Sequence, residues 1–193
     1  MRKSLASSLI VCLITYSAVA QTNWKIDPVH SSIQFDVTHL VVSTVTGSFT
    51  EFSGNLTSSG ETFENSKVEC SVNVNSIDTE NLTRDKHLKE DDFFNAQKSP
   101  SISFKSTSFK KTGDNQYKIE GDLTIRDVTK TVSFMATNSG TVNTGKKTIS
   151  GFKVTGQINR FDFNLKWDDT LDSGSLVVGE NVDIRMNLEL VKI

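Results

Sequence analysis

The chain is short of covalent and rigid staples. Its 193 residues include only two cysteines and two prolines. Cys12 falls in the apolar stretch at the N-terminus, so Cys70 stands alone in the rest of the chain and no intrachain disulfide can form there. Cys70 sits in an apolar alternation, where a small buried hydrophobe is expected. A core, not a set of crosslinks, must hold the fold. The three histidines, His30, His39 and His87, match no compact metal motif. There is no basic excess, which argues against a nucleic-acid partner. Two Trp and two Tyr, one of them Tyr16, are too few for the aromatic girdles of a membrane β-barrel. Beyond residue 20 no run is apolar enough to span a bilayer as a helix. Repeats and low-complexity tracts are also missing.

What is present begins with a leader. Arg2 and Lys3 precede an uncharged, mostly apolar stretch from Leu5 to Ala18. Ala18-Val19-Ala20 then offers small residues for cleavage before Gln21, the layout of a secretory signal peptide over residues 1–20. Leu9-Ile10-Val11-Cys12 is the rival reading, a lipoprotein box, but Val11 is bulky before a lipidated Cys. Removing the leader leaves 173 residues, with 19 basic against 23 acidic side chains and a net charge of −4. That length supports one domain with a sizeable core, residues 21–193. A periplasmic or secreted location follows from this reading.

The remaining chain alternates apolar and polar residues with a period of two, the mark of half-buried strands. Ile33, Phe35, Val37 and His39 form one such row, and Val68, Cys70, Val72 and Val74 a second. Ile102 and Phe104 continue the pattern, as do Tyr117 to Ile125, Val132 to Ala136, and Phe152 to Ile158. Val182, Ile184, Met186, Leu188 and Leu190 give the cleanest run. A less regular segment, Val45 to Leu56, carries Phe49 and Phe52 with Gly47 and Gly54. About eight antiparallel strands can close on themselves and leave no exposed edge. The fold class expected is all-β, a closed eight-stranded barrel. Residues 79–95 break the rhythm. They predict a helical insertion over one opening, with Thr79 as cap, Arg84–Leu88 and Asp85–Lys89 contacts one turn apart, and a second helix from Asp91 or Asp92 presenting Phe93 and Phe94.

The interior rows mix Gly121, Ala136 and Gly156 with Phe35, Phe104, Phe134 and Phe152. Small residues beside rings leave apolar volume, unless the rings simply pack; the pattern alone leaves both open. Strands of about ten residues rise roughly 33 Å before tilt, so a cavity along them suits a long chain.

Several short motifs are distinctive together. They are Trp24-Lys25-Ile26-Asp27, His30-Ser31, His39-Leu40, Gly47-Ser48-Phe49, Ser76-Ile77-Asp78-Thr79, Arg84-Asp85-Lys86-His87-Leu88, Phe93-Phe94, Gly121-Asp122-Leu123-Thr124-Ile125, Val128-Thr129-Lys130 and Ile158-Asn159-Arg160. In this order and spacing, across residues 24–192, the chain resembles the YceI-like family of periplasmic or secreted lipocalin-like barrels. The resemblance implies non-catalytic binding, storage or transport of a polyisoprenoid lipid, a quinone or prenyl carrier, with no cofactor, no stable membrane insertion and a link to stress responses. The candidate ligand-facing residues are Phe35, Val37, His39 and Phe49 in the first strands; Phe93 in the insertion; Phe104, Ile119, Leu123 and Phe134 in the middle strands; and Phe152, Val154 and Met186 in the last ones. Arg84, His87 and Arg160 are candidates for the polar head, or else parts of a network pinning the insertion. A homodimer stays open. Two positions depart from the family pattern: Asp127 and Asn164 replace glycines, and both residue types tolerate positive φ. An enzyme acting on a lipid-like substrate at the barrel mouth is the alternative. A Ser31–His30 nucleophile pair is disfavoured, because neighbours on a strand point to opposite faces.

Overall fold

A computed structural model describes residues 21–60 and 62–193; the leader reading and Cys12 lie outside the described residues. The strands are β1 Gln21–Ile26, β2 Ser32–His39, β3 Ser43–Phe49, β4 Phe52–Ser59, β5 Lys67–Asn73, β6 Ile77–Asp78, β7 Ser101–Gly113, β8 Gln116–Ile125, β9 Val128–Asn143, β10 Thr148–Asn159 and β11 Val178–Lys192, with one helix, α1 Leu82–Leu88. The antiparallel ladder runs β1-β4-β5-β7-β8-β9-β10-β11 and closes through β1 on β11, from Trp24 opposite Lys192 to Ile26 opposite Leu190. β2, β3 and β6 continue the staves of β1, β4 and β5 past local breaks, so the barrel has eight staves. Each corresponds to one run of alternation.

The breaks have chemical causes. Pro28 has no N–H to offer the ladder, so the first stave leaves its partner between β1 and β2. The gap is bridged by Asp27 N–H donating to Glu189 O at 2.8 Å and Glu189 N–H donating to Ser31 Oγ at 2.9 Å. A side-chain oxygen thus replaces the missing strand partner.

One end of the barrel is filled with aromatic rings. Trp24, Phe63, Phe109, Tyr117 and Phe152 pack there with Leu56 and Leu190. Phe63 stands edge-on to Phe152 at 4.9 Å and tilts against Trp24 at 5.4 Å, while Trp24 Nε1–H donates to Ser58 Oγ at 3.2 Å. Burying each ring contributes about 1.5–3 kcal/mol. The outer wall is polar, with Lys153, Gln157, Asp183, Arg185 and Asn187 exposed. A membrane barrel has the opposite arrangement. No helix among the described residues is long and apolar enough to cross a membrane.

The insertion at the other end corrects the sequence-based expectation in detail. Asn81, not Thr79, caps α1; its side chain accepts from the N–H groups of Thr83 and Arg84 at 3.1 Å each. Thr79 lies too early, because Glu80 turns the chain with φ 61°. Thr79 instead donates from Oγ1 and N to the buried Asp85 carboxylate, at 2.5 and 2.9 Å. Asp85 is therefore not free to meet Lys89. No second helix starts at Asp91 or Asp92; that stretch forms turns that fold Phe94 N–H back onto Leu88 O at 3.0 Å. Among the substituted glycines, Asn164 does take positive φ, 59°, but at the β8–β9 turn it is Arg126, φ 56°, rather than Asp127.

The barrel seam carries a pH-sensitive contact. His30 Nδ1 lies 3.1 Å from Asp27 Oδ2 and 3.7 Å from Glu189 Oε1. The Asp27 hydrogen bond and then the Glu189 charge raise the His30 pKa, with Lys147 opposing; the His30 and Val29 hydrogen bonds lower that of Asp27. The raised His30 contribution is complete below about pH 6.5 and fades as pH climbs through the folded value. The depressed Asp27 contribution is complete above about pH 3.9 and fades as pH falls through its folded value. Thermal unfolding should therefore show wild type losing more stability than His30→Asn between pH 5.5 and 8.5. Equal losses would show that the contact is energetically silent.

Candidate functional site

Between the aromatic plug and the insertion lies a cavity of about 210 Å³. It exceeds the roughly 150 Å³ apolar hollow that stays dry and admits benzene. Its wall is almost wholly apolar. β2 contributes Phe35 and Val37, β5 contributes Val68, Cys70 and Val72, and β11 contributes Val182, Ile184 and Met186. Leu88, Phe93 and Phe94 of the insertion close the end opposite the plug.

Glycines keep the hollow open. Phe35 sits directly across the ladder from Gly47, and its ring lies so close that a Cβ on Gly47 would overlap it. Phe134 covers Gly156 in the same way, and Phe104 Cζ would stand 2.6 Å from a Cβ on Gly121. Each ring occupies the space that a side chain on the neighbouring glycine would fill. Of the small residues in the interior rows, Gly121 and Gly156 are seats for rings, while Ala136 is packed in the core cluster with the plug residues.

Of the candidate residues, the structure brings Phe35, Val37, Phe49, Phe93, Phe104, Ile119, Leu123, Phe134, Val154, Arg160 and Met186 to the cavity wall. It does not bring His39, Arg84, His87 or Phe152 there. His39 ends β2 past the hollow, its carbonyl accepting from Ser43 Oγ at 3.1 Å. Arg84 donates to Thr79 Oγ1 and Thr79 O, both at 2.7 Å. His87 pairs with Asp92 Oδ2 at 2.7 Å and stands edge-on to Phe93 and Trp167. Phe152 belongs to the plug, so the cavity does not run the full length of the strands as the rise per residue suggested.

Arg160 touches the cavity, yet its guanidinium is committed elsewhere. It donates to the carbonyls of Gly179, Leu165 and Val178, each at 2.9 Å, and only 3 % of the residue is exposed. Burial lowers its pKa, with Asp168 and Glu180 partly offsetting. Arg126, which sequence reasoning missed, does the same for the insertion. Its Nη1 donates to the carbonyls of Asp91, Phe93 and Asn164 at 2.7, 2.8 and 2.8 Å. The only available signal was its place in a two-residue turn. Phe94, Leu165 and Ile158 were also missed as wall residues.

Cys70, Ser31 and His30 are each held by their surroundings. Burial pushes the Cys70 thiol up to about 11, so it stays protonated. Ser31 Oγ is tied to the Glu189 backbone, and His30 turns to the carboxylates. Asp27, His30 and Glu189 offer ligand atoms within 4.8 Å of one another. That group lies at the strand break, not on the cavity wall.

Residues 24–190 match the profile of the YceI-like domain. The protein YceI of Escherichia coli O157:H7 is 39 % identical over 175 residues, 87 % of this chain and 90 % of that protein. BcnA of Burkholderia cenocepacia superposes with a TM-score of 0.75 at 22 % identity, covering 85 % of this chain and 98 % of that one. A domain from Saccharophagus degradans described as polyisoprenoid binding superposes with a TM-score of 0.63 at 15 % identity, covering 90 % and 99 %.

The ring-over-glycine arrangement has a direct test. In Gly156→Ala the new methyl would overlap the Phe134 ring, which lines the hollow and must shift. The variant should fold with a loss of about 1–3 kcal/mol, as overpacking gives. Displacement of a fluorescent apolar probe should show affinity reduced about tenfold, which is 1.4 kcal/mol. Adding Phe134→Leu should restore it. Unchanged affinity in the single variant would mean that the ring does not govern the open volume.

Proposed function

The chain belongs to the YceI-like family, and on that footing we propose that its cavity holds the tail of one polyisoprenoid lipid, a quinone or prenyl carrier, without chemical conversion. The observation that carries this reading is the nature of the wall. It is almost wholly apolar, and Arg160, which touches it, already donates to three carbonyls. Such a lining rewards hydrocarbon and offers a head group little. Each CH₂-sized group buried contributes about 0.8 kcal/mol, so one five-carbon unit contributes roughly 4 kcal/mol before ordering costs. A few units are enough to outweigh those costs. The polyisoprenoid-binding description of the Saccharophagus degradans domain, which shares the fold, supports the same ligand class.

Storage or transport in the periplasm, or after secretion, fits the leader read over residues 1–20. Binding without turnover is favoured because Cys70 stays protonated and Ser31 Oγ accepts from the Glu189 N–H.

Native mass spectrometry of the protein purified after export, followed by solvent extraction, tests this directly. A single prenyl-containing mass at one per chain is the expected result. A protein that stays empty with added quinones and prenyl phosphates overturns it.

Head-group indifference is a separate consequence. A quinone and a prenyl phosphate with equal tails should bind within about fivefold of each other, less than 1 kcal/mol. A hundredfold preference for the phosphate would instead place Arg160 or Arg84 in contact with the ligand.

A further inference from the structure

Three consecutive apolar residues project from the end of the barrel that carries the insertion. Leu40, Val41 and Val42 turn β2 into β3, and they are 38, 61 and 86 % exposed. The backbone there is strained as well. Leu40 has φ 52° and Val41 φ 64°. Tight hairpins with positive φ favour Asn and Gly, because a Cβ crowds the carbonyl in this region; a β-branched residue is the worst choice. The tip thus combines conformational strain with apolar exposure. Strain of this kind collects at binding surfaces.

Its position connects it with the cavity. Leu40 N–H donates to Val177 O at 2.8 Å, and His39 pairs with Val178. Val37, Val178 and Val182 line the hollow. Between Val178 and Val182 the ladder slips, so three residues of β11 face Thr38 alone, and the wall is least regular beside the tip. From Val37 to Thr50 the chain carries no Asp, Glu, Lys or Arg.

We propose that Leu40-Val41-Val42 is a membrane-docking tip that dips into the surface of a lipid bilayer, where the cavity takes up or releases its guest. The inference rests on the lipid-binding reading above. A bilayer is the occupant favoured by three features. The guest class resides in bilayers, the hairpin is uncharged, and three side chains fall far short of the roughly 800 Å² per partner that a stable protein interface buries. The net charge of −4 outside the leader makes neutral phosphatidylcholine the better surface, with insertion rather than charge attraction holding the protein.

The test uses the full chain without its leader and the double variant Leu40→Asn, Val41→Gly. These residues suit the turn, so the thermal midpoint should hold or rise. That outcome separates loss of docking from loss of fold. Wild type should co-float with phosphatidylcholine vesicles, and the variant should not. Ubiquinone-10 should bind both equally in detergent, while its transfer between vesicles slows about tenfold in the variant. Equal flotation and equal transfer would overturn the proposal. So would a concentration-dependent dimer, lost in the variant, without vesicle binding. If neither protein holds ubiquinone-10, the cavity reading fails on its own, and flotation of the empty protein still decides the tip.

Discussion

The fold depends on where its phenylalanine rings lie. A barrel of eight staves has an interior that ordinary side chains can fill completely. Phe35, Phe104 and Phe134 all point inward, and three rings meeting at the axis would close it. Gly47, Gly121 and Gly156 each remove the Cβ that would hold a ring off the wall. The aromatic surface then becomes lining instead of filling. At the plug no glycine takes the rings, and Phe63, Phe152 and Tyr117 meet across the axis. One residue type therefore makes both the solid end and the hollow end. The difference lies in whether a glycine sits beside the ring.

Polar chemistry serves the same division. Arg126 and Arg160 are the two side chains with the greatest capacity to recognise a head group near the hollow, and each spends its donors on three main-chain carbonyls. Those carbonyls belong to irregular backbone at 91–93 and around 164–165, and to the start of β11, where the ladder leaves partners missing. Unpaired buried carbonyls are costly, and a guanidinium fork satisfies several at once. The arginines close the insertion end by holding Phe93 and Leu165 against the wall. Where it faces the hollow, a wall held this way is almost wholly apolar.

Much of this was legible in the sequence. Period-two alternation marked all eight staves, because one face of each is buried and the other wet. The pattern also put Phe35, Phe104, Phe134 and Met186 on interior rows. It could not show that the β1 segment joins the stave of β2, since a break at Pro28 interrupts the row. Nor could it separate Phe152 from Phe134: both alternate correctly, and only depth along the barrel assigns one to the plug and the other to the hollow. His39 occupied an interior position but lay past the hollow for the same reason. Phe63 comes from a loop outside any alternation. Short polar segments were the least legible. Asn81 and Thr79 are both good caps, and the choice between them turned on the positive φ of Glu80.

An open apolar hollow is expensive to maintain. At roughly 24 cal/mol per Å³, a cavity of about 210 Å³ costs the empty protein on the order of 5 kcal/mol. That is comparable with the whole stability of many domains. A barrel meets such a cost better than an open sheet, because the β1–β11 pairing joins the two ends of the main ladder. The same deficit becomes a driving force when hydrocarbon fills the space, since the guest restores contacts that the wall lacks. Binding and stability are then one quantity seen from two sides: the rings that glycine draws aside leave the empty fold weaker, and a matching tail gives that energy back.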